Sequence, residues 1–133
     1  MRIFFDTNVL ASALTTRGLC AELYERVVLS HDLILGAPVI EELLRVLADK
    51  LKVPSAGLKQ ARAALDAFEL APASDKSLQI TFSDPDDIPI LACAIAAKAE
   101  VFVTGDKALL ALGEVAGMTL LSPRQLWQRL AGL

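Results

Sequence analysis

The stretch Arg2-Ile3-Phe4-Phe5-Asp6-Thr7-Asn8-Val9-Leu10 puts three consecutive large apolar residues directly before an acid. A short apolar run ended by polar, turn-forming residues is the pattern of a strand buried on both faces, as in parallel sheets. The same pattern recurs at Leu33 to Leu35, Val101 to Val103 and Met118 to Leu121, each bounded by Gly, Asp, Thr or Pro. Between these runs, the sequence predicts helices over Asn8 to Leu14, Leu19 to Leu29, Pro38 to Leu51, Ser55 to Phe68, Pro85 to Lys98, Ala108 to Leu112 and Pro123 to Leu130. Alternation of this kind predicts an α/β fold, a three-layer α/β/α sandwich around a central parallel sheet of Rossmann-like type. Leu78 to Phe82 reads as a further short strand, behind a polar connector from Pro72 to Ser77. Ala37-Pro38, Asp84-Pro85 and Ser122-Pro123 mark helix starts, because proline at a first helical position gives up an N–H that has no partner there anyway.

The 133 residues suit a single domain spanning 1–133. With 54% hydrophobic residues the chain is apolar, yet no run approaches the roughly 18 apolar residues that a membrane span requires. Asp6, Thr7 and Asn8 interrupt any signal-peptide core, so a cytoplasmic location is expected. Cys20 and Cys93 stand far apart, and with His31 as the sole histidine no zinc set is available. A net charge of −3 excludes a globally basic nucleic-acid binder, so any such contact must be local or metal-mediated.

Attention therefore falls on the acids. Asp6 and Asp106 sit at the carboxyl ends of predicted strands, where open α/β sheets place their ligand crevice. Each acid also has a plain structural reading. Asp6 can cap the helix beginning near Asn8, Asp106 can cap Ala108 to Leu112, and Asp84 can cap the helix from Pro85 with Asp87 as its capping-box partner. Asp87 is set apart by Ile90, Leu91 and Ala94 at i+3, i+4 and i+7, which place it at the edge of a buried face. Glu42 lies slightly nearer than Glu41 to the stripe formed by Val39, Ile40, Leu43, Leu44, Val46 and Leu47.

A parallel sheet would draw Asp6, Glu42, Asp87 and Asp106 toward one crevice. Two like charges about 4 Å apart repel by roughly 4 kcal/mol at an effective dielectric of about 20, so either protons or a cation must compensate. Mg²⁺ or Mn²⁺ is the expected counter-charge, since oxygen donors prefer hard ions. Such an ion can activate water and neutralise a phosphate, which points to phosphodiester hydrolysis. Thr7, Asn8 and Thr104 are candidates to orient the carboxylates through hydroxyl or amide hydrogen bonds.

Four collinear segments carry a family resemblance: Phe4-Phe5-Asp6-Thr7-Asn8-Val9-Leu10, Glu42-Leu43-Leu44-Arg45-Val46-Leu47, Asp84-Pro85-Asp86-Asp87-Ile88-Pro89-Ile90-Leu91-Ala92-Cys93-Ala94 and Val103-Thr104-Gly105-Asp106-Lys107. Together they resemble a PIN domain, most closely the toxin components of prokaryotic toxin–antitoxin systems. That resemblance implies a nuclease fold with Asp6, Glu42, Asp87 and Asp106 around Mg²⁺ or Mn²⁺. It also implies endoribonuclease activity on an RNA substrate, a cognate antitoxin protein and a homodimer. The third segment departs from the family pattern by offering Asp84, Asp86 and Asp87 where one acid is needed, and Pro89 falls where it would remove a backbone donor.

Of the basic residues Arg17, Lys107 and Arg124, Lys107 is the best candidate for an RNA contact because it adjoins Asp106. Trp127 is expected to pack the last helix. Competing readings are an RNA-processing or structure-specific DNA nuclease of the same fold, and a degenerate module that binds a partner. An aspartyl-phosphate enzyme with Asp6 as nucleophile is disfavoured by Asn8, where that chemistry often places a second Asp.

Overall fold

The computed structural model describes residues 1–74 and 85–132. The expected strand at Leu78 to Phe82, the second half of the connector before it and the expected cap Asp84 lie outside the described residues. Four parallel strands form the centre: β1 (Arg2–Phe5), β2 (Asp32–Gly36), β4 (Val101–Val103) and β6 (Met118–Leu121). Two short strands, β3 (Glu69–Ala71) and β5 (Glu114–Val115), complete a sheet of order β3-β2-β1-β4-β6-β5. The helices are α1 (Thr7–Thr15), α2 (Leu19–Ser30), α3 (Ala37–Arg45), α4 (Ser55–Leu65), α5 (Ile88–Ala96), α6 (Lys107–Leu110) and α7 (Pro123–Leu130).

The order of the strands dictates the layers. From β1 the chain steps outward to β2 and β3, then crosses back to β4 on the other side of β1. Right-handed crossovers made in opposite directions deliver their helices to opposite faces, so the sheet is covered on both sides. The result is the expected three-layer α/β/α sandwich. Double coverage explains why Ile3, Phe4 and Phe5 are all fully buried although alternate side chains point to opposite faces. Phe4 and Phe102 are register partners, and their rings stack at 5.4 Å. Among the described residues no helix is long and apolar enough to cross a membrane.

Some local expectations change in the fold. The sheet is not wholly parallel, because β5 pairs antiparallel with β6 across the two-residue turn Ala116-Gly117. Both turn residues have positive φ, 51° and 84°. That is the twist a tight hairpin requires, and it holds Ala116 in a conformation few non-glycine residues adopt. The helix expected from Ser55 to Phe68 stops at Leu65. Phe68 instead meets Tyr24 edge to face at 6.0 Å, and Glu69–Ala71 pairs with β2, so tertiary packing overrides local helical periodicity. The helix expected from Pro38 to Leu51 becomes α3 followed by a wider π turn, Val46–Lys50, in which the Leu51 N–H donates to Val46 O.

Pro89 is accommodated rather than disruptive. Residues Pro85–Asp87 form a 3₁₀ turn and α5 begins only at Ile88, so Pro89 sits in the first turn, where its missing N–H costs no helical bond.

Gly36 joins β2 to α3 at ordinary backbone angles, so its role is steric. A Cβ there would lie 2.7 Å from Phe4 Cζ and 3.2 Å from Cys93 Sγ. Because Phe4 is fully buried and stacked, it has little room to yield. Gly36→Ala is expected to destabilise the protein by about 1 to 3 kcal/mol through overpacking, measured as a lower urea midpoint. An unchanged midpoint would show that Phe4 moves freely.

Candidate functional site

Strand order reverses between β1 and β4, and at such a switch point a crevice opens beyond the carboxyl ends of the strands. Asp6 follows β1 and Thr104 follows β4. Their strands pair Phe5 with Val103, which brings two residues distant in sequence side by side. The Asp6 N–H donates to Val103 O at 2.9 Å. The Thr104 hydroxyl donates to Asp6 Oδ2 at 2.7 Å, and the Thr7 N–H donates to Asp6 Oδ1 at 2.9 Å. Thr104 Oγ1 also accepts from the Asp106 N–H at 3.0 Å. Asp106 Oδ1 in turn accepts from Ala108 N (2.8 Å) and Leu109 N (3.3 Å).

The capping reading is thus realised for both Asp6 and Asp106. Capping does not exhaust either carboxylate, because each oxygen carries two lone pairs. Asp6 and Thr104 are buried, whereas Asp106 is exposed at the rim. Burial pushes the Asp6 carboxyl above its ordinary value, and the hydrogen bonds from Thr104 and Thr7 pull the other way without cancelling it. The nearby charges of Glu42 and Asp106 raise it further.

Of the four expected acids, Glu42 and Asp106 are therefore both within electrostatic reach of Asp6. Glu42 is half-buried whereas Glu41 is exposed, and it is Glu42 whose charge acts on Asp6. Asp87 lies in the 3₁₀ turn before α5 with its Oδ2 buried. The buried face expected after it is present, since Ile90, Leu91 and Ala94 are all buried. Asp86, one residue earlier, is exposed and lines the same cleft as Glu42. Among the described residues no three His, Cys, Asp or Glu side chains close to ligating distance of one point.

This donor set still fits a hard divalent ion. Mg²⁺ ordinarily keeps several waters and takes one or two protein carboxylates directly, so acids standing further off can be reached through water. Thr7 Oγ1, next to Asp6, is a buried hydroxyl with no hydrogen-bond partner among the described residues. A buried hydroxyl without a partner, beside a buried carboxylate, is a group that the water of a hydrated ion could satisfy.

Among the supporting residues, Thr104 has the largest role, because it ties Asp6 to Asp106. Thr7 contributes its backbone N–H, not its hydroxyl. Asn8 is exposed and makes no side-chain hydrogen bond among the described residues. Lys107 is exposed at the start of α6, Arg124 at the start of α7, and Arg17 in the turn between α1 and α2. Trp127 packs as expected, half-buried beneath the Arg26 guanidinium at 5.4 Å. Sequence reasoning missed Arg45 and Lys50, which line the cleft beside Glu42. Regular helical spacing sets Arg45 and Lys50 about 140° apart, so the pair leaves no signal in the sequence. The π turn Val46–Lys50, which carries Lys50, alters that spacing.

A PIN domain family model matches residues 2–108. The chain belongs to the PIN domain family. Solved structures agree on the fold. A chain of VapBC2 from Rickettsia felis, bound to a DNA fragment from their promoter, superposes with a TM-score of 0.62 at 18% identity, covering 92% of this PIN domain protein and 98% of that chain. PAE2754 from Pyrobaculum aerophilum gives 0.60 at 16% identity, with coverage of 100% and 97%. The PIN domain endonuclease Utp24 gives 0.50 at 19% identity, with coverage of 91% and 84%. Identities this low establish a shared fold and nothing finer. A comparison with curated protein sequences gives no match.

The raised Asp6 proton affinity has a definite consequence for this PIN domain. Because the folded state holds this proton more tightly than the unfolded chain, the charge on Asp6 lowers stability as pH rises from the ordinary carboxylate range through the folded value. Asp6→Asn is expected to melt a few degrees higher than the parent at neutral pH without metal, with the gain vanishing toward pH 3. Stabilisation by Mn²⁺ should be lost in the variant. A variant still stabilised by Mn²⁺ as strongly as the parent would remove Asp6 from the metal site.

Proposed function

We propose that this PIN domain is a divalent-metal-dependent endoribonuclease, the toxin of a toxin–antitoxin pair. The observation that carries the reading is the buried Asp6 carboxylate at the switch point, fixed by Thr104 and acted on by the charges of Glu42 and Asp106. Membership of a family of nucleases supports the hydrolase class, and a likeness to a structure named as an endonuclease agrees with it.

In this proposal Asp6, Glu42, Asp87 and Asp106 would hold Mg²⁺ or Mn²⁺. When bound, the ion would lower the pKa of a water and neutralise charge on the phosphate. The chain's own residues do the positioning. The Thr104 hydroxyl fixes the rotamer of Asp6 and, through its second bond, the path of the backbone at Asp106. The amides of Ala108 and Leu109 hold one oxygen of Asp106, and the other would be available to the ion. Burial keeps Asp6 shielded from bulk water, in surroundings where electrostatic interactions are stronger than in solvent.

We extend the proposal to an antitoxin protein and a homodimer. A groove of about 240 Å³ with an apolar floor of Ile40, Leu44, Leu65, Phe68 and Leu70, which the charged Glu41, Arg62 and Asp66 also line, supports a protein contact. The likeness to a VapBC2 structure supports an antitoxin as one such partner.

Purified protein with Mn²⁺ is expected to cut a mixed single-stranded RNA panel, and both EDTA and Asp6→Asn should abolish cutting. Thr104→Val should keep the charge set but lower activity by roughly 10- to 100-fold, the usual effect of losing a group that orients a metal ligand. Cutting of single-stranded DNA in preference to RNA would favour a DNA nuclease. A folded protein that neither binds Mn²⁺ nor cuts would indicate a non-catalytic module.

A further inference from the structure

A cleft of about 570 Å³ runs from Glu42 along the outer face of α3 and the π turn. Arg45 and Lys50 lie on this wall, and Asp86, Pro89 and Ile90 form the wall opposite. From Glu42 to Lys50 is eight residues, or roughly 12 Å of helix axis. The acid placed in the site and the two cations thus share one trough.

Arg45 stands three residues after Glu42 and four after Glu41, spacings at which helical Arg and Glu side chains ordinarily pair. Yet neither Arg45 nor Lys50 takes part in an ion pair among the described residues. Both are exposed cations that line the groove. The π turn contributes Lys50 to that groove, and π segments within helices occur frequently at functional sites. Glu41 and Asp49 also line the cleft, and with Glu42 and Asp86 they give it four acids against two cations. A polyanion would be held here only through specific contacts to Arg45 and Lys50, with a cation bound at the acids offsetting their charge.

We propose that this cleft seats the RNA strand immediately beside the scissile bond, with Arg45 and Lys50 contacting successive backbone phosphates. The inference rests on the ribonuclease reading above. A guanidinium fork can grip a phosphate with two parallel hydrogen bonds, while an ammonium acts as a point charge. Pro89 and Ile90 supply an apolar wall for the base or ribose. Contacts to phosphate carry no sequence information, so this cleft sets affinity and register without selecting bases.

The test is fluorescence anisotropy of protein with Mn²⁺ and a phosphorothioate single-stranded RNA that resists cleavage, titrated across a salt series. The double variant R45Q/K50Q is compared with K98Q/R129Q, which removes the same charge from exposed sites outside the cleft. We expect R45Q/K50Q to weaken binding equally for different RNA sequences and to reduce the slope of log affinity against log salt by roughly 1.4, or about 0.7 for each phosphate contact. With cleavable RNA, KM should rise while kcat holds. If the parent cuts RNA but R45Q/K50Q matches the control in slope and KM, this inference falls and the ribonuclease reading stands. If the parent neither binds nor cuts RNA, both fall. Unchanged melting temperatures in the two double variants exclude a folding defect.

Discussion

The hydrogen bond from Thr104 to Asp6 joins the first strand of the chain to the fourth, and the site depends on it. Placing a carboxylate against a core of Phe5, Val103 and their neighbours removes it from water, at a cost of several kcal/mol for a bare charge. Two hydrogen bonds offset part of that cost. The balance still raises the proton affinity of the carboxyl, since burial outweighs the bonds in setting the direction of the Asp6 shift. Glu42 and Asp106 push the same way. A protein built only for stability would place an apolar residue here, so this destabilised carboxylate is a sign of function.

Holding such a group requires a rigid surround, and the sheet provides it. β1 is flanked on both sides by parallel strands and covered on both faces, so the backbone on which Asp6 sits has no freedom to carry the charge outward. Gly36 and Pro89 serve the same end by different means. The first lets α5 close onto β2 and Phe4, because no Cβ intervenes. The second begins α5 at the point where the 3₁₀ turn presents Asp86 and Asp87, with no helical hydrogen bond lost. The elements that carry Glu42 and the acids of this turn therefore pack on each other, through contacts of α3 with α5 and of α5 with the turn.

The charge arrangement also accounts for how an acidic protein of net charge −3 could handle a polyanion. Arg45 and Lys50 stand along a cleft that Glu41, Glu42, Asp49 and Asp86 also line, so a polyanion there would meet two cations among four acids. Local contacts of that kind need no basic face, and a cation bound at the acids would offset their repulsion.

Much of this was legible before folding. The four central strands could be read from uninterrupted apolar runs, and the helix starts from their prolines and caps, because burial on two faces and the missing proline N–H are written in neighbouring residues. The candidate acids were legible for the same reason, as each closes a strand or edges an apolar stripe. Other features were not. β3 is three residues at the end of a helical pattern, and it becomes a strand only because β2 offers an unpaired edge. β5 is two residues long and exists through its hairpin with β6. The paired role of Thr104 was likewise hidden, since its partner lies 98 residues away. Which acids feel one another, which threonine group binds Asp6, and where Arg45 and Lys50 point depend on distances that arise only when the strands align. Local chemistry thus determined the elements and the kinds of residue at the site. The tertiary structure decided their company, because hydrogen bonds and charges act over a few ångströms of space and not along the chain.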